Sequence, residues 1–202
     1  MLVAVAASVG VSLASESGSA TPAASTAATS TAPVEKRDLV ATTSVDGTLG
    51  YADGWTMSSR LAGTLTWLAA EGAVVQPGHR LFAVDGNPTV LMRGRVPAYR
   101  VLQVGVDGPD VRQLERELRR LGYSGFTVDT SYTTATAAAV KDWQDDLGVA
   151  QTGVVDVGAV VFAAGPVRVG AHAVEVGAAV APGGAVTAVS STSRVVSVDL
   201  PV

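Results

Sequence analysis

The chain has 202 residues, of which 48% are hydrophobic and 16% are charged, so it is long enough to bury one or two modest cores. Its formal net charge of -4 argues against a nucleic acid as partner, because phosphate binding requires a basic surface. Cysteine is absent, which excludes disulfides and thiolate metal sites.

The N-terminal segments indicate export. Residues 1–15 form an apolar run shorter than the roughly 20 residues that span a bilayer, and they lack the positively charged start of a signal peptide. We predict a membrane anchor or signal remnant whose basic start lies upstream of Met1; a buried strand or helix is the alternative. Residues 16–33 are almost wholly Ser, Ala, Thr, Gly and Pro, which predicts a disordered linker.

Short strands are predicted after the linker. Residues 38–47 are rich in β-branched side chains and end on Asp46-Gly47, a turn signal. Residues 63–68 predict a second strand. Pro77-Gly78 predicts a turn between two further apolar runs, because proline fixes one backbone angle and glycine permits the other.

A buried strand over residues 89–92 leads into three arginines. Arg93, Arg95 and Arg100 could form a basic patch for anionic wall polymers or lipid headgroups. Three solvated charges around a strand end are the alternative.

A first helix is predicted near residue 110. Four apolar residues at steps of three, four and three lie on one stripe: Val111, Leu114, Leu118 and Leu121. Asp107 or Asp110 is expected to cap the start of this helix, and Gly122 to end it in a left-handed conformation.

A second helix follows. Its apolar stripe comprises Ala139 or Val140, Trp143 and Leu147. Thr133 or Thr134 is the expected cap, and Gly148 the expected stop. Because each helix has one apolar face, we expect the two to pack against each other.

These two helices resemble the small helical peptidoglycan-binding domain that accompanies cell-wall enzymes. The resemblance rests on the following residues: Leu114, Leu118, Leu121-Gly122-Tyr123, Val128-Asp129, Thr136, Ala139-Val140, Trp143-Gln144, Leu147-Gly148 and Thr152-Gly153-Val154-Val155-Asp156. The family usually has an Asp-Gly-x-Phe-Gly turn between its helices, whereas this chain has residues 129–133 without glycine. The resemblance implies peptidoglycan as ligand.

Five residues of the module are candidate ligand contacts. Tyr123 and Tyr132 offer aromatic faces for a sugar, and Asp129, Thr136 and Gln144 offer polar groups for sugar hydroxyls or peptide amides. Each has a structural alternative. Tyr123 could pack over the helix end, and Gln144 could hydrogen-bond the loop between the helices.

A repeat flanks the helical module. Residues 71–85 and 176–190, an offset of 105, share Gly, Ala, Val, Pro, Gly, Ala and Val in register. The repeat predicts two halves of one β unit that pair across the insertion, with the module projecting from it.

The half-motif, an apolar strand, Glu-Gly-x-x-Val-x-x-Gly and a second apolar strand, resembles the split lipoyl-like or biotinyl-like domain of periplasmic adaptor proteins, also called membrane fusion proteins. The second copy has Val176 where the first has Glu71. Neither Lys36 nor Lys141 lies in a half-motif, and cofactor attachment needs a lysine amine. The unit is therefore predicted to be a scaffold without a cofactor. Residues 194–200 read as a strand entering a further β domain.

Catalytic and metal-binding candidates are few. His79 and His172 lack a cysteine or an evident carboxylate partner. The carboxylates Asp142, Asp145 and Asp146 suit a solvated helix face better than a calcium site, because they lack an oxygen-rich loop. We predict no catalytic residue and no metal ligand.

The predicted fold class is α+β: a β-rich split lipoyl or barrel-like scaffold with an inserted small helical peptidoglycan-binding-like domain. The predicted segments are residues 1–15 (anchor or signal remnant), 16–33 (linker), 34–106 (first lipoyl-like half), 107–158 (helical domain) and 159–202 (second half and start of a β domain).

The predicted function is that of a non-enzymatic, extracytoplasmic, peptidoglycan-binding adaptor of a membrane efflux or export system. Its predicted partners are peptidoglycan, a transporter permease and the membrane, the last through the N-terminus. The alternatives are the accessory wall-binding part of a cell-wall hydrolase, and a module used only for protein–protein contact.

Overall fold

The computed structural model describes residue 36 and residues 44–198, and the predicted anchor remnant and linker lie outside them. The described part has an α+β fold, and none of its helices is long and apolar enough to cross a membrane. Its elements are β1 (Gly47–Tyr51), β2 (Trp55–Ser58), β3 (Gly63–Leu68), β4 (Val74–Val75), β5 (Arg80–Val84), β6 (Asn87–Arg93), α1 (Pro109–Arg120), α2 (Thr134–Asp146), β7 (Val160–Ala163), β8 (Val167–His172), β9 (Ala179–Val180), β10 (Ala185–Ser191) and β11 (Arg194–Val198).

Two sheets share one hydrophobic core. One sheet has the strand order β2-β10-β8-β4, and the other has the order β7-β6-β5-β3-β9. Strands of both sheets contribute buried side chains to this core, among them Leu65, Leu81, Val169 and Val186. A separate ribbon of β1 and β11 is largely exposed.

The repeated segments exchange their short strands. Strand β4 of the first half pairs with β8, and β9 of the second half pairs with β3. The equivalent glycines Gly78 and Gly183 both have positive φ angles, 94° and 88°, which L side chains rarely adopt. The two halves therefore pair across the insertion, as the sequence predicted.

The helical module packs directly on the β unit and does not project from it, contrary to the prediction. Strand β6 is buried on both faces, and its side chains alternate between two cores because successive strand residues point to opposite sides. Val90 and Met92 belong to the core of the module, whereas Leu91 belongs to the core between the sheets. The module is thus fixed to the scaffold by a shared strand.

Two local predictions are wrong. Most of the predicted strand 38–47 lies outside the described residues, but its end at Asp46-Gly47 is wrong because β1 begins at Gly47. A Cβ atom at Gly47 would lie 2.7 Å from Val196 Cγ1, so close packing in the ribbon accounts for this glycine. Helix α1 begins after Gly108, without a side-chain cap. Asp110 is occupied by Arg100, whose Nε donates to Asp110 Oδ2 at 2.7 Å.

Candidate functional site

The two helices enclose the module core with the apolar stripes that the sequence predicted. Leu114 and Leu118 of α1 and Val140 and Trp143 of α2 are all buried in it. Thr133 caps α2 in a reciprocal capping box with Thr136. The amphipathic spacing of the apolar residues accounts for both helices. Polar side chains of the helices then hydrogen-bond the adjacent loops.

A buried glutamate organises the loop between the helices. Glu115 of α1 is fully buried, and its carboxylate accepts hydrogen bonds from the Thr136 hydroxyl at 2.7 Å and from the backbone N–H of Asp129 at 2.8 Å. Burial raises the pKa of the Glu115 carboxyl above its ordinary value, and these two hydrogen bonds oppose that rise. Sequence reasoning missed this residue, because a glutamate in a charge-rich helix is normally expected on the solvated face.

A glutamine fixes the loop after α2. Gln144 Oε1 accepts from the backbone N–H of Gly153 at 2.8 Å, while Nε2 donates to the Val154 carbonyl at 2.8 Å and to Thr152 Oγ1 at 3.1 Å. The hydroxyl of Tyr132 donates to the carbonyl of the same Gly153 at 2.9 Å. The loop is therefore held through both backbone polar groups of one residue, Gly153.

Three of the five predicted ligand contacts lie in the interior of the module. Tyr132, Thr136 and Gln144 are buried, and their polar groups bond to the protein itself. Tyr132 was expected to present an exposed face, yet only 2% of its surface is accessible. Tyr132 and Gln144 thus stabilise a loop, but it is the loop after α2, whereas the structural alternative for Gln144 was a hydrogen bond to the loop between the helices.

The other two predicted contacts lie nearer the surface. Tyr123 donates its hydroxyl to Asp146 Oδ2 at 2.7 Å, and burial together with this carboxylate raises the pKa of Tyr123 to about 12. Asp129 Oδ1 accepts from the backbone N–H of Ser131 at 2.7 Å. Tyr123 contacts the end of α2, while Asp129 belongs to the Glu115 network, so the five residues do not converge on one surface.

A cleft lies where the module meets the β unit. Its volume is about 310 Å³. Its apolar walls come from the loop before β3, from the start of β6 and from the end of α2 with the following loop, and they include Leu61, Pro88, Leu147 and Val149. Its polar groups are Asp85, Asn87, Gln144, Thr152 and Asp156. We call this site the junction cleft.

Sequence reasoning identified one polar residue of the junction cleft, Gln144, as a ligand contact. Asp85 and Asn87 come from the turn between β5 and β6, which the sequence signals as Asp-Gly-Asn. Asp85 has a positive φ of 48°, and its Oδ1 accepts from the backbone N–H of Thr64 at 2.8 Å. Asp156 belongs to the motif that carried the family resemblance, and it lines the cleft together with Asp85 and Asn87 from the first half of the chain.

The histidines and the predicted basic patch are arranged differently from expectation. His172 has a carboxylate neighbour after all, because its Nδ1 lies 4.0 Å from Glu71 Oε1, whereas His79 is exposed elsewhere. Among residues 44–198, no three His, Asp or Glu side chains cluster as a metal site. Arg100 pairs with Asp110 and holds the pKa of that carboxyl below its usual range, so it does not join Arg93 in one patch.

Comparison with known proteins assigns the helical part. Residues 107–158 match the family model described as a putative peptidoglycan binding domain. The chain is also similar to the chloroplastic protein disulfide isomerase pTAC5 of Arabidopsis thaliana, with 43% identity over 58 residues, or 27% of this chain.

The chain spans only 15% of the length of that relative. The 202 residues contain no cysteine, so they offer no thiol for the disulfide chemistry that the name of this relative states. No solved structure matches the chain significantly.

Proposed function

We propose that this chain is a non-enzymatic, extracytoplasmic wall-binding adaptor, tethered through its N-terminal segment, whose lipoyl-like β unit holds the peptidoglycan-binding domain beside a membrane export permease. The observation that carries wall binding is the family match over residues 107–158, which also suggests a cell-wall-associated location. The adaptor part of the proposal is supported by the strand exchange between β4 and β9, because a split lipoyl-like unit needs two halves that pair across an insertion.

The junction cleft is the ligand site in this proposal. Leu61, Pro88 and Leu147 offer apolar contact for the methyl groups of N-acetyl sugars and alanine residues. The carboxylates of Asp85 and Asp156, both on exposed residues, suit the amines of a stem peptide. Gln144 contributes by shaping the loop wall, and Tyr123 and Asp129 lie outside the cleft.

Sedimentation with purified cell-wall sacculi tests the cleft. The variant Asp85→Asn/Asp156→Asn removes both charges and keeps the size of the side chains; asparagine also tolerates the positive φ of position 85. We expect the affinity of this variant for sacculi, measured from the bound fraction at limiting sacculi, to be about tenfold weaker than that of the unmodified chain. The variant loses two ion pairs, and an exposed ion pair contributes about 0.2–1 kcal/mol.

The matched control is Asp107→Asn/Asp142→Asn, which makes the same change of net charge at exposed residues outside the cleft. Its retention should stay within about twofold of the unmodified chain. Equal retention of both double variants would place the ligand elsewhere on the domain. If the unmodified chain stays in the supernatant, wall binding itself is wrong and a role in protein–protein contact alone takes its place.

The adaptor part has an independent test. Cross-linking in intact envelopes, followed by membrane solubilisation, should recover the chain in a complex with an export permease. Recovery with a wall hydrolase and without a permease would favour the accessory role in a cell-wall enzyme.

A further inference from the structure

Five arginines line one groove beside α1. Arg112, Arg116 and Arg120 recur at steps of four, which places them in a row along one face of the helix. Arg93 ends β6, and Arg95 follows in the segment that leads away from the strand. The groove between these two sources has a volume of about 390 Å³. We call it the arginine groove.

The two walls of the arginine groove are fixed to each other by one glutamine. Gln113 Oε1 accepts from the backbone N–H groups of Arg95 at 2.7 Å and Val96 at 3.0 Å, and Nε2 donates to the Val96 carbonyl at 2.8 Å. Gly94 allows this approach, because a Cβ at position 94 would overlap the Gln113 amide. The arginines of α1 and those at the end of β6 therefore line the groove from two segments that Gln113 joins by hydrogen bonds.

Little negative charge offsets these cations. Glu117 is the one carboxylate lining the groove, and its Oε2 lies 3.6 Å from Arg120 Nη1. Within residues 44–198, no carboxylate oxygen lies within 4.0 Å of the guanidinium nitrogens of Arg93, Arg95, Arg112 or Arg116. Five cations against one carboxylate give the groove a formal charge of +4 in a chain whose net charge is -4.

We propose that the arginine groove binds a phosphodiester-linked anionic polymer of the cell wall. Guanidinium groups match phosphate geometry, since their planar N–H donors can pair with two oxygens of one phosphate. The row from Arg112 to Arg120 extends over eight residue-to-residue steps, or about 12 Å along the helix. A single phosphate ion fills only part of such a row, whereas successive phosphates joined by short alcohol linkers can meet successive arginines.

The location of the groove favours a polymer of the wall. The three helical arginines belong to the helix that the peptidoglycan-binding domain contributes, so a domain seated on peptidoglycan presents the groove to polymers attached to it. That source rests on the proposed function, while the phosphate chemistry rests on the groove alone. An oligonucleotide presents the same phosphate chemistry, so it is the location of the groove on the domain matched over residues 107–158 that favours the wall polymer, and an oligonucleotide is one arm of the test.

Titration of the full chain with a soluble poly(glycerol phosphate) chain tests the groove without any need for peptidoglycan. The variant Arg112→Gln/Arg116→Gln should weaken binding about tenfold at low salt and reduce its dependence on salt, because two phosphate contacts are lost. The matched control is Arg60→Gln/Arg194→Gln, which removes the same charge at exposed residues outside the groove and should change affinity less than twofold. Circular dichroism checks that both variants fold.

Equal weakening by both pairs of substitutions would overturn the proposal, because it would reduce the effect to net charge. Tighter binding to phosphatidylglycerol vesicles, or to an oligonucleotide of the same charge, than to poly(glycerol phosphate) would also overturn it. Inorganic phosphate should compete only at high concentration. Sacculi stripped of phosphate polymers separate the two proposals: loss of binding by the unmodified chain to stripped sacculi contradicts binding to peptidoglycan, and leaves the result with the soluble polymer standing.

Discussion

Replacing Gln144 with alanine should unfasten the loop that forms one wall of the junction cleft. The substitution removes three hydrogen bonds and leaves the buried backbone N–H of Gly153 without its acceptor. At about 1 kcal/mol for each bond, the free energy of unfolding should fall by about 3 kcal/mol. Gln144 has only 7% of its surface exposed, and its bond to the backbone N–H of Gly153 is buried, so that N–H is left in the interior without an acceptor.

Urea denaturation followed by tryptophan fluorescence measures this loss, because Trp143 is adjacent to the substituted residue. With a slope of about 2 kcal/mol per molar urea, the midpoint should fall by about 1.5 M. The control is Gln151→Ala in the same loop, where one exposed hydrogen bond to Asp145 is lost and the change should be less than about 0.5 kcal/mol. Similar midpoints for the two variants would refute the assignment of Gln144 as the fastening residue.

Two further substitutions test the network between the helices. The pKa of Glu115 is raised in the folded chain, so the folded state binds this proton more tightly than the unfolded state does. The stability that this residue contributes is therefore fully present below its unfolded pKa of about 4.5, and it is lost as the pH rises through the folded pKa. Glu115→Gln should therefore gain stability relative to the unmodified chain between pH 4 and pH 7, and an unchanged difference in thermal unfolding at the two values would contradict the pKa assignment. Thr133→Ala should cost about 1 kcal/mol by removing the cap of α2, whereas Thr134→Ala, at the exposed first helical position, should cost less than half of that in the same urea assay.

The helical domain was accessible from the sequence because its information is local. The apolar steps through Leu114 and Leu118 specify one face of a helix, and Thr133 specifies where the next helix begins, so both predictions were confirmed. The cap of α1 was mispredicted for the opposite reason. Asp110 has the chemistry of a cap, but Arg100 reaches it in the folded chain and takes the carboxylate.

The candidate ligand contacts show where local patterns stop being sufficient. Tyr132 has an aromatic side chain of the kind that binds sugars. Only the tertiary structure shows that it is buried and that its hydroxyl donates to the backbone carbonyl of Gly153. The two carboxylates of the junction cleft, Asp85 and Asp156, are about 70 positions apart in the chain. Their proximity depends on the contact between β6 and β7.

The sequence by itself determined the two helices, the repeated glycine-turned segments and the absence of thiol chemistry, since each depends on residue type and short-range spacing. The tertiary structure decided that the repeats exchange β4 and β9, that the module shares β6 with the scaffold, and that distant arginines meet in one groove. The physical reason is that hydrophobic burial is non-directional: it requires each apolar face to find a partner, and leaves the choice among partners to packing of the whole chain.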